Sequence, residues 1–318
     1  MKSKSQVWAG IDVSKDSLKV GLWPDREVFS CAREPRALRG LARRLRGLKV
    51  KLVVLEATGG LEWPVIQALL SCGLPVHRLE PSRARHYARA LGVRAKTDPV
   101  DALLLARFAA SGELKAQSFA NEPTRHLDAL VTRRRQIVDT VTAESNRLGA
   151  CLDREAQASL REHLRFLRRQ VAKLDAKIDQ FVQREPELKH KATLLQSAPG
   201  VGRVTAATLI SAMPELGHLT RRQVAALGAT APFPDRSGRR QGKDRISGGR
   251  ANVRGALYMA VLSSIRRDSW IAVFYRKLVA LGRPKKAAIA ACMRRLIVKL
   301  NAMVRDNAPW RQTAPAAG

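Results

Sequence analysis

Residues 7–23 read "VWAGIDVSKDSLKVGLW". The stretch opens apolar and turns abruptly polar after Ile11, the pattern of a buried strand that ends at a site. From Ser17 to Trp23 apolar and polar residues alternate, the period of a half-buried strand. "REVFSCA" at 26–32 can pair with it, which predicts an antiparallel start. Leu38, Leu41, Leu45 and Leu48 then mark an amphipathic helix with arginines on its other face. "VKLVVLEATG" (50–59) is the most apolar strand of the chain, and "WPVIQALLSCG" (63–73) a helix closed by glycine. "LPVHRLEP" (74–81) is a short strand and "SRARHYARALG" (82–92) a basic helix. Strands alternating with helices to about Ala120 predict an α/β unit over residues 1–120.

"KTDPVDALLLA" at 96–106 opens its last helix. Asp98 suits the N-cap, Pro99 the first helical position, and Asp101 a place where a carboxylate favours the helix dipole. The same spacing puts both carboxylates on one face, where they repel unless positive charge lies between them. At this level helix start and ligand pair are both open.

From about Pro123 the texture changes. Leu160, Leu164, Leu167, Val171, Leu174, Ile178 and Phe181 recur with spacings of four and three, a heptad seam. Leu127, Leu130, Ile137, Val141 and Leu148 keep that phase, interrupted by Arg134 and Glu144. Residues 121–186 are therefore expected to form a helical coiled-coil hairpin, paired within the chain or with another copy. Residues 187–318 read as a mostly α domain. Its "SAPGVGRVTAATLISAM" (197–213) holds a Pro-Gly-x-Gly turn like that of helix-hairpin-helix modules, where the amides around Gly200 and Gly202 would contact DNA phosphate. After "LTRRQVAALGA" comes a loop rich in Gly, Pro, Ser and Arg, "TAPFPDRSGRRQGKDRISGGRANVRG" (230–255), and helices resume beyond it.

Composition limits the partners. The 318 residues carry 58 Lys and Arg against 27 Asp and Glu, a net charge of +31, which calls for a polyanionic partner. No apolar stretch approaches the ~20 residues of a membrane span. "MKSKSQVWAG" has no apolar signal core, so a cytoplasmic nucleic-acid protein is expected. Cys31, Cys72, Cys151 and Cys292 are far apart, which argues against zinc ribbons and a disulfide framework. A bound metal would then rely on carboxylate oxygens, which selects Mg²⁺ or Mn²⁺. Asp12 and Glu56 each stand at the polar end of a core strand, a costly place for an acid unless it is paired or metal-bound. With Asp98 and Asp101 they can converge at one sheet edge, as in sites for phosphodiester cleavage.

The series "GIDVSK", "LEATGG", "KTDPVDA" resembles the N-terminal domain of the DEDD transposases of the IS-one-ten insertion-sequence family. The likeness continues through "LLQSAPGVG", "SGRRQGKDRIS" and "LYMAV", from about Val7 to Val304. The resemblance implies an RNase-H-like fold of the Holliday-junction-resolvase type at the N-terminus and a C-terminal transposase domain. It implies that Asp12, Glu56, Asp98 and Asp101 hold the metal and that a serine nucleophile sits in a Ser-Gly loop, here Ser237. Arg236, Arg239, Arg240, Lys243 and Arg245 would anchor phosphate or stabilise developing charge. It further implies donor and target DNA, a structured noncoding guide RNA, and a homo-oligomer, a dimer of dimers. Where relatives often carry lysine after the "IS" serine, this chain has Gly248 and Gly249 before Arg250.

Other classes fit less of the chain. A sugar kinase of the actin type also begins with a "GID" strand, but its glycine-rich phosphate segment is missing here. An architectural binder would explain the charge and the "PGVG" turn, not four acids at strand ends and a helix start. A metal-dependent nuclease of the Holliday-junction type would use the acids without a covalent serine step.

Overall fold

The computed structural model describes residues 6–93, 97–117, 119–230, 232–233, 236–237, 240–241, 245–246, 248–267 and 269–311, with the side chains of 232–246 left aside. The chain divides into two compact units, Met1–Phe119 and Ala120–Gly318.

The first unit is built on a five-stranded mixed sheet. Its strands are β1 (Trp8–Val13), β2 (Ser17–Trp23), β3 (Val28–Ala32), β4 (Val53–Glu56) and β5 (Val76–Leu79), in the order β3-β2-β1-β4-β5. β1, β2 and β3 form the expected antiparallel meander, while β4 and β5 run parallel to β1. The helices are α1 (Pro35–Gly47), α2 (Trp63–Ser71), α3 (Pro81–Ala90) and α4 (Asp98–Ala110).

Alternation along the strands sorts the side chains into two cores. Ala9, Ile11, Val13, Leu18, Val20, Leu22, Val53 and Leu55 pack with Leu38, Leu41 and Leu45 of α1 and Val65, Ile66 and Leu69 of α2. Leu52, Val54 and Leu79 pack on the opposite face with Leu105, Phe108 and Ala109 of α4. The result is a three-layer α/β/α unit, consistent with an RNase-H-like domain. Leu48, read as part of the α1 stripe, is instead the 41% exposed C-cap, because the helix ends at Gly47.

α4 lies unusually close to the sheet. A Cβ at Gly10 would collide with the backbone of Ala102 and Ala106, and one at Gly21 would sit 2.8 Å from the Ala102 carbonyl carbon. Two glycines paired across β1 and β2 thus form a groove in which the helix backbone rests. The helix runs against β1: Trp8, at the strand's start, packs in the same core as Phe108 and Ala109 near the helix's end. Its first turn is therefore directed toward the carboxyl ends of β1 and β4.

The second unit is helical. Helices α5 (Glu122–Ala150) and α6 (Arg154–Arg184) are joined by three residues and pack on each other. The ion pair of Arg134 with Asp175 and the contact of His163 with Glu144 cross an antiparallel hairpin within the chain. The two polar interruptions of the seam, Arg134 and Glu144, thus have cross-helix partners. Side-chain caps at Asn121 and Asp153 start both helices. α7 (Pro186–Gln196), α8 (Arg203–Ala212), α9 (Arg221–Leu227), α10 (Ala251–Ile265), α11 (Trp270–Ala280) and α12 (Lys285–Arg305) complete the unit. Leu127, Val131, Ile178 and Val182 of the hairpin share one core with Leu209, Leu257, Leu296 and Leu300. No helix among the described residues is long and apolar enough to cross a membrane.

Candidate active site

Parity on the strands decides where the acids point. Asp12 is two residues beyond Gly10, and Glu56 two beyond Val54, so both carboxylates lie on the face covered by α4. The parallel register pairs Ile11 with Leu55, which makes Asp12 and Glu56 neighbours one step further along. Both are half-buried.

Asp98 and Asp101 occupy the first turn of α4, the first exposed and the second half-buried. One expectation changes here. The first helical hydrogen bond runs from the Asp101 amide to the Thr97 carbonyl oxygen, so Thr97 is the N-cap and Asp98 already belongs to the helix. Thr97 makes no side-chain cap, and Pro99 follows in the first turn. Asp98 therefore has no capping duty.

The set is all carboxylate, a donor chemistry that fits a hard divalent cation. Among the described residues, however, no three acids, histidines or cysteines are gathered closely enough to hold one. Asp12 and Glu56 stand side by side at the strand ends, while Asp98 and Asp101 lie on the first turn of α4 without closing a gathered set around them.

Lys19 is a residue the sequence reading passed over. It stands opposite Asp12 in the β1–β2 ladder, on the same face as Gly21, and donates to Ser30 Oγ at 2.7 Å. That bond holds its amine toward β3, the strand on the other side of β2 from Asp12. The alternation of "SLKVGLW" held the signal, since it groups Lys19 with Gly21 against the apolar Leu18, Val20 and Leu22.

The loop that carries Ser237 folds into two short ladders. β6 (Pro232–Phe233) pairs antiparallel with β9 (Arg245–Ile246), and β7 (Arg236–Ser237) with β8 (Arg240–Gln241). Ser237 is opposite Arg240 in the inner ladder. Arg239 and Lys243 lie outside the described residues.

The stem of this loop explains the Gly248-Gly249 departure. At the entry, Thr230 is buried and its amide and hydroxyl both donate to the Ala225 carbonyl oxygen. At the exit, Gly248 and Gly249 have φ of 67° and 66°, a left-handed conformation that glycine adopts without strain. A Cβ at Gly249 would come within 2.5 Å of the Ala226 carbonyl oxygen. Arg250 then donates its amide to Leu227 O and forks both guanidinium arms, at 2.8 Å each, onto Glu215. Both ends of the loop are fastened to the end of α9.

The "PGVG" turn has a packing role at one of its glycines. A Cβ at Gly200 would strike the Ala260 carbonyl oxygen and Ser264 Oγ on α10, while Gly202 is exposed at the start of α8.

Comparison with known proteins finds transposases along most of the chain. A model for the DEDD transposases of the IS110 type, described as "Transposase", matches residues 9–156. One described as "Transposase IS116/IS110/IS902 family" matches residues 192–276. Over 262 residues the chain is 29% identical to a pilin gene-inverting protein of Moraxella bovis, and equally to one of Moraxella lacunata. Each alignment covers 81% of this chain and 81% of the relative.

Proposed function

Because this chain belongs to the IS116/IS110/IS902 family of transposases, DNA recombinases by class, we propose that it cuts and rejoins DNA through a serine ester while a carboxylate-held cation stabilises charge. Asp12, Glu56, Asp98 and Asp101 are the groups that would hold Mg²⁺ or Mn²⁺. When bound, the ion supplies Lewis-acid stabilisation of the phosphate oxygens. The observation that carries the reading is the common face of Asp12 and Glu56 beneath a helix that begins with Asp98 and Asp101.

The covalent step belongs to Ser237. Its Oγ forms a bond to phosphorus as the bond to the departing sugar oxygen breaks, and the hydroxyl proton ends on that oxygen. Attack by a hydroxyl of another strand reverses the exchange, so the joint needs no outside energy. Relatives named for inverting a gene support this choice, since inversion requires every cut to be rejoined. Arg236, Arg239, Arg240, Lys243 and Arg245 bind phosphate on either side, and Gly202 offers helix amides to the backbone.

The partners follow from the same reading. Donor and target DNA bind together with a structured noncoding guide RNA, whose base pairing supplies sequence while the protein reads backbone and shape. The chain works in the cytoplasm as a dimer of dimers. The heptad seam of α5 and α6 pairs within each chain as an antiparallel coiled coil, and in the assembly acids and serine come from different copies.

Trapping the reaction tests the mechanism. A DNA-linked protein is expected, with the adduct at Ser237, and Ser237→Ala should abolish adduct and recombination while DNA binding stays near normal. Robust cleavage by Ser237→Ala would make the chain a metal-dependent nuclease with water as nucleophile.

A further inference from the structure

The loop that follows Glu56 is organised around one buried acid. Glu62 is fully buried, and its Oε2 accepts from the Thr58 amide at 3.1 Å, the Thr58 hydroxyl at 3.1 Å and the Gly60 amide at 2.8 Å. Its Oε1 accepts from Arg78 Nε of β5 at 2.8 Å. Burial pushes the Glu62 carboxyl up, but the bonds from its own amide, Arg78, Gly60 and Thr58 together outweigh it and hold the group below the ordinary carboxylate value.

The segment so held is weak by itself. Gly59 and Gly60 have φ of 70° and 113°, and neither meets anything within 4 Å that a side chain would touch. Two adjacent glycines leave the backbone wide freedom. The Glu62 carboxylate removes it by binding two amides and a hydroxyl of the turn. Arg78 anchors that carboxylate to the strand next to β4 and lies 5.5 Å over the Trp63 ring. The Ala57 amide, directly after Glu56, donates to the Leu79 carbonyl oxygen of the same strand.

A second arginine joins this loop to the other strand-end acid. Arg33 donates through Nε to the Lys15 carbonyl oxygen at 2.6 Å, in the turn after Asp12, and through Nη1 to the Leu61 carbonyl oxygen at 3.4 Å. The turns that follow Asp12 and Glu56 are thereby tied into one network.

We propose that Glu62 is a positioning residue for the acid site, locking the Thr58–Leu61 turn so that Glu56, and through Arg33 the turn after Asp12, keep the geometry that cation binding needs. The inference rests on the proposed metal role of Asp12 and Glu56. Partners that orient a ligand from behind typically change metal affinity by about 10–100-fold when removed.

The test measures Mn²⁺ binding to the full chain by the EPR signal of the free ion, beside thermal unfolding. Glu62→Gln should weaken Mn²⁺ binding by about tenfold or more, with DNA affinity unchanged. The paired variant Glu62→Met with Arg78→Met removes the lock but restores packing, since apolar pairs commonly replace a buried ion pair without loss of stability. It should still unfold in one cooperative transition, and it should bind Mn²⁺ weakly. Wild-type Mn²⁺ affinity in either folded variant would overturn the positioning role. Glu56→Gln is the reference: if it too leaves Mn²⁺ affinity untouched, the metal reading itself falls and takes this inference with it.

Discussion

Asp98 carries two readings at the residue scale, helix start and ligand, and the structure separates them. Thr97 closes the first turn, so removing the Asp98 carboxylate takes away no cap. Its side chain is exposed, and substitutions at such places shift stability by only about ±0.5 kcal/mol. Asp98→Ala is therefore expected to keep the wild-type unfolding curve in urea and to lose Mg²⁺-dependent DNA cleavage. Wild-type cleavage by that variant would leave Asp98 with no part in the chemistry. A helix-initiating Asp before a proline is one of the commonest local patterns, and the sequence alone could not say which residue made the first hydrogen bond. That was settled by the extended backbone of Thr97, whose φ is −143°.

A helix backbone rests directly on strand backbone where α4 crosses β1 and β2. The helix carries buried residues around much of its circumference, so no single apolar stripe announces which face meets the sheet. Gly10 and Gly21 give the answer, because only there does the sheet surface drop enough to admit the helix backbone. Gly10→Ala forces its methyl into the backbone of Ala102 and Ala106. Overpacking of this kind costs roughly 1–3 kcal/mol, to be read as a lower urea midpoint. Gly40 is the contrast: it lies exposed in α1 with nothing within 4 Å of an added Cβ. Gly40→Ala should raise stability by about 0.5–1 kcal/mol through helix propensity. Equal effects at the two glycines would contradict the close approach of α4. The stem of the serine loop follows a similar logic, with Gly249 against α9 where a side chain would not fit.

The whole molecule is dominated by its charge of +31. Many Lys and Arg contacts release counterions from a bound polyanion, so log affinity should fall linearly with log salt. With six or more phosphates engaged, affinity should drop by about a thousandfold or more between roughly 50 and 200 mM salt. A filter-binding or fluorescence titration across that range checks it. A flat dependence would mean that the excess positive charge is not the binding surface.

The sequence by itself determined the local and periodic features. Strands and helices of the first unit, the antiparallel start, the long helical pair and the candidate acids were all legible, because period two, period 3.6 and capping chemistry act over a few residues. Asp12 and Glu56 were conspicuous for the same reason, as acids ending apolar runs. Tertiary structure alone decided what depends on residues far apart in the chain. It brought Asp12 and Glu56 onto the face of α4, gave Arg134 and Glu144 partners across the hairpin, and made Gly248-Gly249 the fastening of a loop to α9. It also set Glu62 against Arg78. In the sequence, Glu62 is one more acid before a helix; only the parallel pairing of β4 with β5 brings the arginine that makes its burial tolerable.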